Sequence, residues 1–275
     1  LVANIMDDRI NPLYRGLKTT RLGEGVGQQH FLLEIAMLRT VKALEEFMDT
    51  LKAFQVKKIR AVATSAVREA TNSHELVKKI QSLGLRLDVI SGEEEAWLSY
   101  YGATSMFKEF FHPFVIDIGG GSTELIYCSS GGQIFNTSIG AGAVRCTEEG
   151  WSKEQIKSAF APALEKVIFI PTKNLVGVGG TITTLAAIDQ KLLSYDPKLI
   201  QGYTLTLARI QAIWHELSVL PLEQRRLVPG LQPNRADIIL AGIEILLTIM
   251  TQLKVDTITV SESDLLEGII FELGK

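Results

Sequence analysis

The sequence predicts an α/β protein of two domains, each with a mixed sheet flanked by helices. Strand patterns open each half of the chain, and helical and strand patterns alternate after them. The halves meet near His112–Pro113, so we expect an N-terminal domain at 1–113 and a C-terminal domain at 114–275. A chain of 275 residues with 46% hydrophobic residues is long and apolar enough for two modest cores.

The first half is predicted to form a β-hairpin, a long helix and two strand–helix pairs. The apolar residues of the long helix stand at 33, 37, 41, 44, 48 and 51, which is a helical period. Ser73 is a candidate N-cap, and the acids at 93–95 suit a first helical turn. The predicted elements are strands Leu1–Ile5 and Leu13–Arg21 around the turn Asp7-Asp8-Arg9, a loop at 22–27, helix Phe31–Phe54, strand Ile59–Ala63, helix Ser73–Leu83, strand Leu87–Ile90 and a helix from Ser91 to about Phe110.

The second half is predicted to form three consecutive strands and then alternating helices and strands. Glycine-containing turns separate the apolar runs. The predicted elements are strands at 115–118, 124–128 and 133–139, a helix at 153–165, strand Leu175–Val178 with a helix after its glycine turn, helices Leu205–Leu220 and Ala236–Leu253, strand Thr257–Val260 and helix Asp264–Leu273.

Composition and charge argue against several classes of protein. Lys and Arg number 28 against 31 Asp and Glu, and the net charge of −3 gives no electrostatic case for nucleic acid. Cys128 and Cys146 have no metal-ligand spacing, which favours a reduced, cytoplasmic protein. The most apolar helical stretch, 238–250, contains Glu244 and is too short to span a bilayer, so we expect no membrane partner. Leu1–Ile5 has the pattern of a strand already under way, and we expect residues upstream of it.

Residues Val115–Ile126 form the most informative segment of the chain. An apolar run ends in Asp117, three glycines and two hydroxyl residues follow, and Glu124 opens a second apolar run. Three glycines leave backbone N–H groups unshielded by any Cβ, so the turn can wrap an anion such as phosphate. Carboxylates on both flanks would repel a phosphate unless a divalent cation bridged them, which predicts phosphate together with Mg²⁺. The alternative is a tight hairpin that binds no ligand.

Two further segments combine strand ends with groups that bind anions. Gly177–Thr183 places a second glycine turn between a strand and a helix, where free N–H groups favour anions, although close helix–strand packing explains it equally well. This turn matches neither a Walker A loop nor a full dinucleotide-binding fingerprint. Thr64, Ser65 and Arg68 come directly after a strand, which suits phosphate contact. A capped helix start with a solvated arginine is the alternative for that segment.

Other polar residues give weaker signals. Three arginines near Pro229-Gly230-Leu231 form a cationic loop that suits an acidic substrate or is simply solvated; they are Arg225, Arg226 and Arg235. The four histidines fall in no paired metal spacing, and no Gly-x-Ser-x-Gly motif occurs. These absences argue against zinc hydrolysis and histidine-based catalysis.

Taken together, these segments resemble the exopolyphosphatase/guanosine pentaphosphate phosphatase (Ppx/GppA) family of the actin-like ATPase superfamily. The matching segments occur in the family's order and span nearly the whole chain. They are Arg21–Gly25, Ala63–Ala70, Ile90–Ala96, Asp117–Glu124, Gly177–Thr181, Gly230-Leu231 with Arg235–Asp237, and Val260-Ser261 ahead of Leu266–Gly268. The resemblance implies two actin-like (ribonuclease H-like) domains with the active-site cleft between them. It also fits a last helix that packs back on the first domain.

The resemblance implies a role for each site residue. Glu95, the glutamate before the small residue of Ser-Gly-Glu-Glu-Glu-Ala, would deprotonate the attacking water, although the residues alone do not separate it from Glu93 and Glu94. Asp117 and Glu124 would bind Mg²⁺ or orient the water. The implied phosphate contacts are Gly119, Gly120, Gly121, Ser122, Gly179, Gly180, Thr181, Thr64, Ser65 and Arg68, with Arg235 as a further substrate contact.

The predicted function is release of terminal phosphate from inorganic polyphosphate, guanosine pentaphosphate (pppGpp), or both, with a link to the stringent response. The resemblance also implies a homodimer. An ATP-dependent small-molecule kinase of the same superfamily is the alternative enzyme. A non-catalytic protein that binds guanosine tetraphosphate is the alternative from another class. The family's pattern begins with a first phosphate hairpin, which we expect upstream of Leu1.

Overall fold

The computed structural model describes residues 1–6, 9–18, 20–24, 26–107, 112–167 and 174–274. They fall into two compact units, one of Leu1–Ser99 with Leu265–Lys275 and one of Tyr100–Asp264. The first unit is discontinuous, because the second unit lies between its two segments in the chain. The division falls after Ser99, whereas the sequence places the domain boundary near His112–Pro113.

The first unit contains two pairs of strands and the helices around them. Its elements up to the division are β1 (Val2–Met6), β2 (Arg9–Tyr14), α1 (Val26–Gln29), α2 (Glu34–Ala53), β3 (Ala61–Ala63), α3 (Ser65–Glu69), α4 (Ser73–Gln81), β4 (Leu87–Val89) and α5 (Gly92–Thr104), which continues past it. β1 and β2 pair antiparallel, and β3 and β4 pair parallel. A buried cluster that includes Leu32, Met37 and Leu76 forms the core beside α2 and α4.

The second unit is built on a six-stranded mixed sheet. Its elements are β5 (Phe114–Ile118), β6 (Thr123–Cys128), β7 (Ile134–Ile139), α6 (Ala143–Glu148), α7 (Lys153–Val167), β8 (Leu175–Val178), α8 (Gly180–Asp189), α9 (Pro197–Ile200), β9 (Thr204–Thr206), α10 (Leu207–Ser218), α11 (Leu222–Arg225), a 3-10 turn (Pro233–Arg235), α12 (Ile239–Leu253) and β10 (Thr257–Val260); α13 (Leu265–Gly274) follows and belongs to the first unit. The strand order is β7-β6-β5-β8-β10-β9. β5, β8 and β10 are parallel neighbours, and β6, β7 and β9 are antiparallel. The predicted α/β class is therefore confirmed.

Burial explains why the central strands are apolar throughout. The side chains of β8 are all buried, as are those of β5 except for Asp117. Central parallel strands with covered faces require such continuous apolar runs. α12 is buried over most of its length and forms much of the same core. Among the described residues, no helix is long and apolar enough to cross a membrane.

The last helix is joined tightly to α5 within the first unit. Gly268 lets α13 lie directly on α5, since a Cβ at that position would come within 2.0 Å of the Leu98 carbonyl oxygen. Arg60 ties the two helices together by binding Glu94 of α5 (2.6 Å) and Glu272 of α13. Burial alone would lower the pKa of Arg60, but hydrogen bonds and ion pairing with both carboxylates raise it overall. α13 therefore supports the helix whose first turn carries the three acids.

The first hairpin is present, but its second strand begins earlier than predicted. Met6 pairs directly with Arg9, so β2 runs from Arg9 to Tyr14, and the predicted strand over 13–21 is confirmed only at 13 and 14. Pro12 is tolerated within β2, because each strand of this two-stranded sheet has an edge without a strand partner among the described residues. Of the predicted turn, Arg9 lies in the strand, and residues 7 and 8 lie outside the described residues.

Ser73 is not the N-cap of α4, so that prediction is wrong. Asn72 holds the position before the helix, and its side chain is engaged elsewhere. Asn72 Oδ1 accepts a hydrogen bond from the N–H of Leu32 (2.8 Å), and Nδ2 donates to the Leu32 carbonyl oxygen (3.1 Å). The start of α4 is thus fixed by a link to the segment before α2 rather than by a side-chain cap.

The helix predicted from Leu205 begins two residues later, at Leu207. Leu205 lies in β9, because the neighbouring strand β10 offers it an antiparallel partner. Thr206 then caps α10, since its Oγ1 accepts from the N–H of Arg209 (3.2 Å). Further differences include the start of α1 inside the predicted loop at 22–27, and the starts of α2 at Glu34 and α12 at Ile239 rather than at Phe31 and Ala236. α5 ends at Thr104, while its predicted end near 110 lies outside the described residues, and the sequence does not predict α6, α9 and α11.

Candidate active site

The two predicted carboxylates of the second unit lie on one face of the β5–β6 hairpin. Asp117 and Glu124 are directly opposite each other in the register of the two strands. Directly paired residues place their side chains on the same face of an antiparallel sheet, with Cβ atoms about 4.5–5.5 Å apart. Their neighbours Ile116 and Leu125 are fully buried, as alternation along a strand requires for the opposite face. The hairpin therefore brings the predicted Mg²⁺ ligands together.

The turn between these strands keeps backbone donors available. The Gly119 N–H donates to the Ser122 carbonyl oxygen (3.0 Å), which closes the turn. The N–H groups of Gly120 and Gly121 make no hydrogen bond to any described residue. The three glycines have no positive φ, so their contribution is an exposed backbone rather than a left-handed conformation. Without a Cβ on either residue, both N–H groups are open to an anion.

Two hydroxyl groups fix one oxygen of Glu124. Ser122 Oγ (2.6 Å) and Ser138 Oγ (2.8 Å) both donate to Oε1, which leaves Oε2 for a cation. Within the described ranges, no group of three or more His, Cys, Asp and Glu residues could hold a metal alone. Asp117 and Glu124 still fit Mg²⁺, which proteins commonly hold by one or two carboxylates while substrate phosphates complete the coordination. Ser138 is not marked by any sequence motif, although it pairs with Glu124 in the β6–β7 register.

The second glycine turn, Gly177–Thr183, is shaped by close packing. Gly179 has φ +91° and ψ 164°, a conformation essentially limited to glycine. A Cβ there would lie 2.7 Å from Asp117 Oδ1, so this turn lies directly against the first carboxylate. Thr181 is buried, with its side chain against Gly242 of α12, which leaves its backbone as the part available to a ligand.

Arg235 lies against the first residue of α8. A Cβ on Gly180 would fall 1.7 Å from Arg235 Nη1, so the guanidinium rests on the Gly180 backbone. Arg235 Nε also donates to Gln232 Oε1 (3.1 Å), which holds the side chain beside its own 3-10 turn. The predicted substrate contact is thus brought to the second glycine turn, where a helix N-terminus and a cation together favour an anion.

Tyr195 and Glu262, which no sequence motif marks, lie near Arg235. The Tyr195 hydroxyl donates to Glu262 Oε1. Burial raises the pKa of Tyr195 and the Glu262 carboxylate raises it further, while a hydrogen bond with Thr183 and the charge of Arg235 oppose both effects. Tyr195 therefore remains a protonated donor at neutral pH.

In the first unit, two adjacent strand ends bring Arg68 and Glu95 together. Because β3 and β4 are parallel neighbours, the segments after Ala63 and Val89 leave the pair at the same edge. Arg68 Nη1 donates to the Ile90 carbonyl oxygen (2.8 Å) and lies 3.2 Å from Glu95 Oε2. An anion bound at this edge would share Arg68 with Glu95.

Thr64 and Ser65 lie at the same edge and form the start of α3. The Thr64 carbonyl oxygen accepts from the N–H groups of Val67 (3.1 Å) and Arg68 (3.0 Å), and its side chain makes no cap. Ser65 is exposed. The helix start considered as the alternative for this segment is therefore present, although without a side-chain cap, and Arg68 is exposed as well as ion-paired with Glu95.

The geometry separates the three acids at the start of α5. Ser91 Oγ accepts from the Glu94 N–H (3.1 Å) and caps the helix. The Glu94 carboxylate belongs to the ion-pair cluster that joins α5 to α13. Glu93 is exposed. Of the three, Glu95 is the carboxylate beside Arg68, the predicted phosphate contact.

The cationic loop contributes one arginine to a glycine turn. The guanidinium of Arg225 donates to three backbone carbonyl oxygens, and its burial lowers its pKa. Arg226 pairs with Glu223 (2.9 Å) on the surface. Arg235 differs from both because it contacts the backbone at the start of α8.

Comparison with known proteins places this arrangement in a family. A profile of the Ppx/GppA phosphatase family matches residues 1–275. Exopolyphosphatase 2 of Mycobacterium tuberculosis is 29% identical over 99% of this chain and 92% of that protein. A bifunctional 3-dehydroquinate synthase/phosphatase of Fusobacterium nucleatum is 32% identical over 99% of this chain, which spans 44% of that longer protein.

Solved structures agree with this result. The structure of the Aquifex aeolicus member of the Ppx/GppA family has a TM-score of 0.85 at 31% identity, and the match covers 99% of this chain and 92% of that one. A type II crystal variant of the Aquifex phosphatase gives a TM-score of 0.84 at 30% identity, over 98% and 93% of the two chains. The predicted two-domain, actin-like α/β fold is confirmed. The chain therefore belongs to the Ppx/GppA phosphatase family.

Proposed function

We propose that this chain releases the terminal phosphate of inorganic polyphosphate by hydrolysis and acts on pppGpp in the same way. The observation that carries the proposal is the register of the β5–β6 hairpin, which sets Asp117 opposite Glu124 beside the free N–H groups of Gly120 and Gly121. Membership of the family supports a phosphatase, and the name of the mycobacterial relative supports polyphosphate as the substrate.

In the proposed reaction, water attacks the terminal phosphorus and the bond from that phosphorus to the bridging oxygen breaks. The bridging oxygen keeps the electron pair and leaves with the shortened chain. Glu95 accepts the proton of the attacking water. The N–H groups of Gly120 and Gly121 bind the phosphoryl oxygens. Asp117 and Glu124 would hold Mg²⁺, which would spread the negative charge of the phosphates.

The variant Glu95→Gln tests the base. Because the amide keeps the shape and loses the proton acceptor, phosphate release from polyphosphate should fall about 100-fold or more while substrate binding is largely retained. Glu93→Gln is the matched control, since it removes an exposed carboxylate from the same helical turn and should leave turnover near that of the unmodified protein. Full turnover by Glu95→Gln would refute the assigned base.

Phosphate release from long polyphosphate, tripolyphosphate and pppGpp, measured side by side, tests the substrate. Release without any acceptor molecule supports hydrolysis. Transfer that requires ATP and an acceptor would replace the proposal with a kinase, and tight guanosine tetraphosphate binding without release would replace it with a non-catalytic protein. Excess chelator should abolish release and added Mg²⁺ should restore it; unchanged release would remove the metal from the proposal.

A further inference from the structure

Arg145 of α6 lies beside the first glycine turn, in a segment that the sequence motifs do not mark. Its Nη2 would be 3.9 Å from a Cβ on Gly121, and its Nη1 would be 3.4 Å from a Cβ on Gly140. The guanidinium therefore lies close to the backbone of two glycines, Gly121 and Gly140. Its side chain is exposed, so a ligand at the turn can reach it.

The position of Arg145 is set by hydrogen bonds to the turn itself. The Gly119 carbonyl oxygen accepts from the Ala143 N–H (3.0 Å), and the Gly120 carbonyl oxygen accepts from the N–H groups of Val144 (2.9 Å) and Arg145 (3.0 Å). Gly142 makes this contact possible, because a Cβ there would lie 2.5 Å from the Gly120 backbone. These backbone hydrogen bonds join the turn to the start of α6 and so fix the position of the Arg145 backbone.

The guanidinium of Arg145 is the positive charge beside a turn that is flanked by two carboxylates. Its guanidinium makes no hydrogen bond or ion pair within the part of the chain that the structure describes. The first N–H groups of α6 are occupied by the turn's carbonyl oxygens, so α6 itself does not supply anion-binding donors. The carboxylates of Asp117 and Glu124 on the hairpin would repel an approaching phosphate.

We propose that Arg145 is a phosphate-binding residue of this site. Its planar guanidinium donates to an oxygen of the same terminal phosphate that the Gly120 and Gly121 N–H groups hold. The positive charge offsets repulsion from Asp117 and Glu124 and favours bidentate contact with phosphate, which lysine reproduces only in part. This inference rests on the proposed function for the identity of the anion.

Binding of tripolyphosphate to the Glu95→Gln protein, measured by calorimetry, tests Arg145 without requiring turnover. Adding Arg145→Gln should raise the dissociation constant at least about tenfold, as expected for loss of a charge-assisted contact. Arg145→Lys should give an intermediate dissociation constant. Arg226→Gln is the matched control, because it removes an exposed arginine of the same unit that pairs with Glu223. Control and parent should bind equally.

The outcomes separate this inference from the proposed function. Equal affinity in the parent and in the Arg145→Gln protein would overturn the role of Arg145. Weaker binding in Arg145→Gln, partly restored by lysine, would support it even if the unmodified chain released no phosphate, a result that would reject hydrolysis alone. Unfolding midpoints of all variants are measured in the same buffer, and affinities are compared at a temperature where every variant is folded.

Discussion

The two glycine turns of the second unit look alike in the sequence, yet their glycines have different structural roles. In the turn after β5, the glycines have no positive φ, and two of their N–H groups lack an acceptor among the described residues. In the turn after β8, Gly179 has φ +91°, and it and Gly180 lie against the side chains of Asp117 and Arg235. The first turn leaves backbone exposed to a ligand, whereas the second makes room for neighbouring side chains.

This difference shows that a run of glycines does not always indicate phosphate binding. The sequence left open whether each turn binds an anion or allows close packing. The second turn is closely packed, and this packing brings Asp117 and Arg235 to it, while anion binding there stays a prediction. Alanine substitutions should therefore have different effects in the two turns.

Gly179→Ala should have the largest effect. The new Cβ would meet Asp117 Oδ1 and the Ile118 carbonyl oxygen at 2.7 Å, and φ +91° is strained for alanine. We expect the free energy of unfolding to fall by about 3 kcal/mol from strain and overpacking together. Phosphate release should be lost with it, because Asp117 is displaced. Urea unfolding and a phosphate assay measure the two effects; unchanged stability would contradict the packing role.

Gly180→Ala should separate binding from stability. The atoms in the way belong to the end of the Arg235 side chain, which can swing out, and alanine is a good residue at a first helical position. The free energy of unfolding should stay within about 0.5 kcal/mol. Loss of one charge-assisted contact corresponds to roughly a tenfold rise in KM.

Arg235→Ala is the reference for this second substitution. The two variants should show the same KM for tripolyphosphate, since both remove the guanidinium from the turn. A normal KM for Gly180→Ala combined with a raised KM for Arg235→Ala would show that Arg235 acts from a different position.

Gly121→Ala should have the smallest effect. A Cβ there would lie 3.9 Å from Arg145 Nη2, which is an ordinary contact. The free energy of unfolding should change by less than about 0.5 kcal/mol. Phosphate release should fall by less than about tenfold, because the N–H donor stays and the methyl group merely narrows access to it. If this variant were as unstable as Gly179→Ala, the two turns would not differ as described.

Five of the six strands of the second unit, all except β9, could be predicted to within one residue. Central strands covered on both faces must be apolar, and glycine turns mark where they end, so the signal is local. The pairing of Asp117 with Glu124 follows from the same hairpin. Short elements escape this reasoning: β9 exists because β10 offers a partner, and α6 is too short to show a helical period.

The side-chain contacts of the site could not be predicted, because their partners are distant in the chain. Glu94 and Glu95 are adjacent, and what distinguishes them is which arginine each contacts, Arg60 or Arg68. The contact of Arg235 with Gly180 likewise joins segments that no local pattern connects. Gly142 was the available sign that another backbone approaches, although it does not identify Arg145 as a residue beside the turn.

The discontinuity of the first unit has a consequence for how the protein is made. The ribosome completes all of Tyr100–Asp264 before it adds α13, so the second unit can fold while the first still lacks a helix. Until then, the surface of α5 that receives Gly268 is uncovered, and Arg60 has Glu94 without Glu272. The helix that carries Glu95 thus reaches its final support only after the whole of Tyr100–Asp264 has been synthesised.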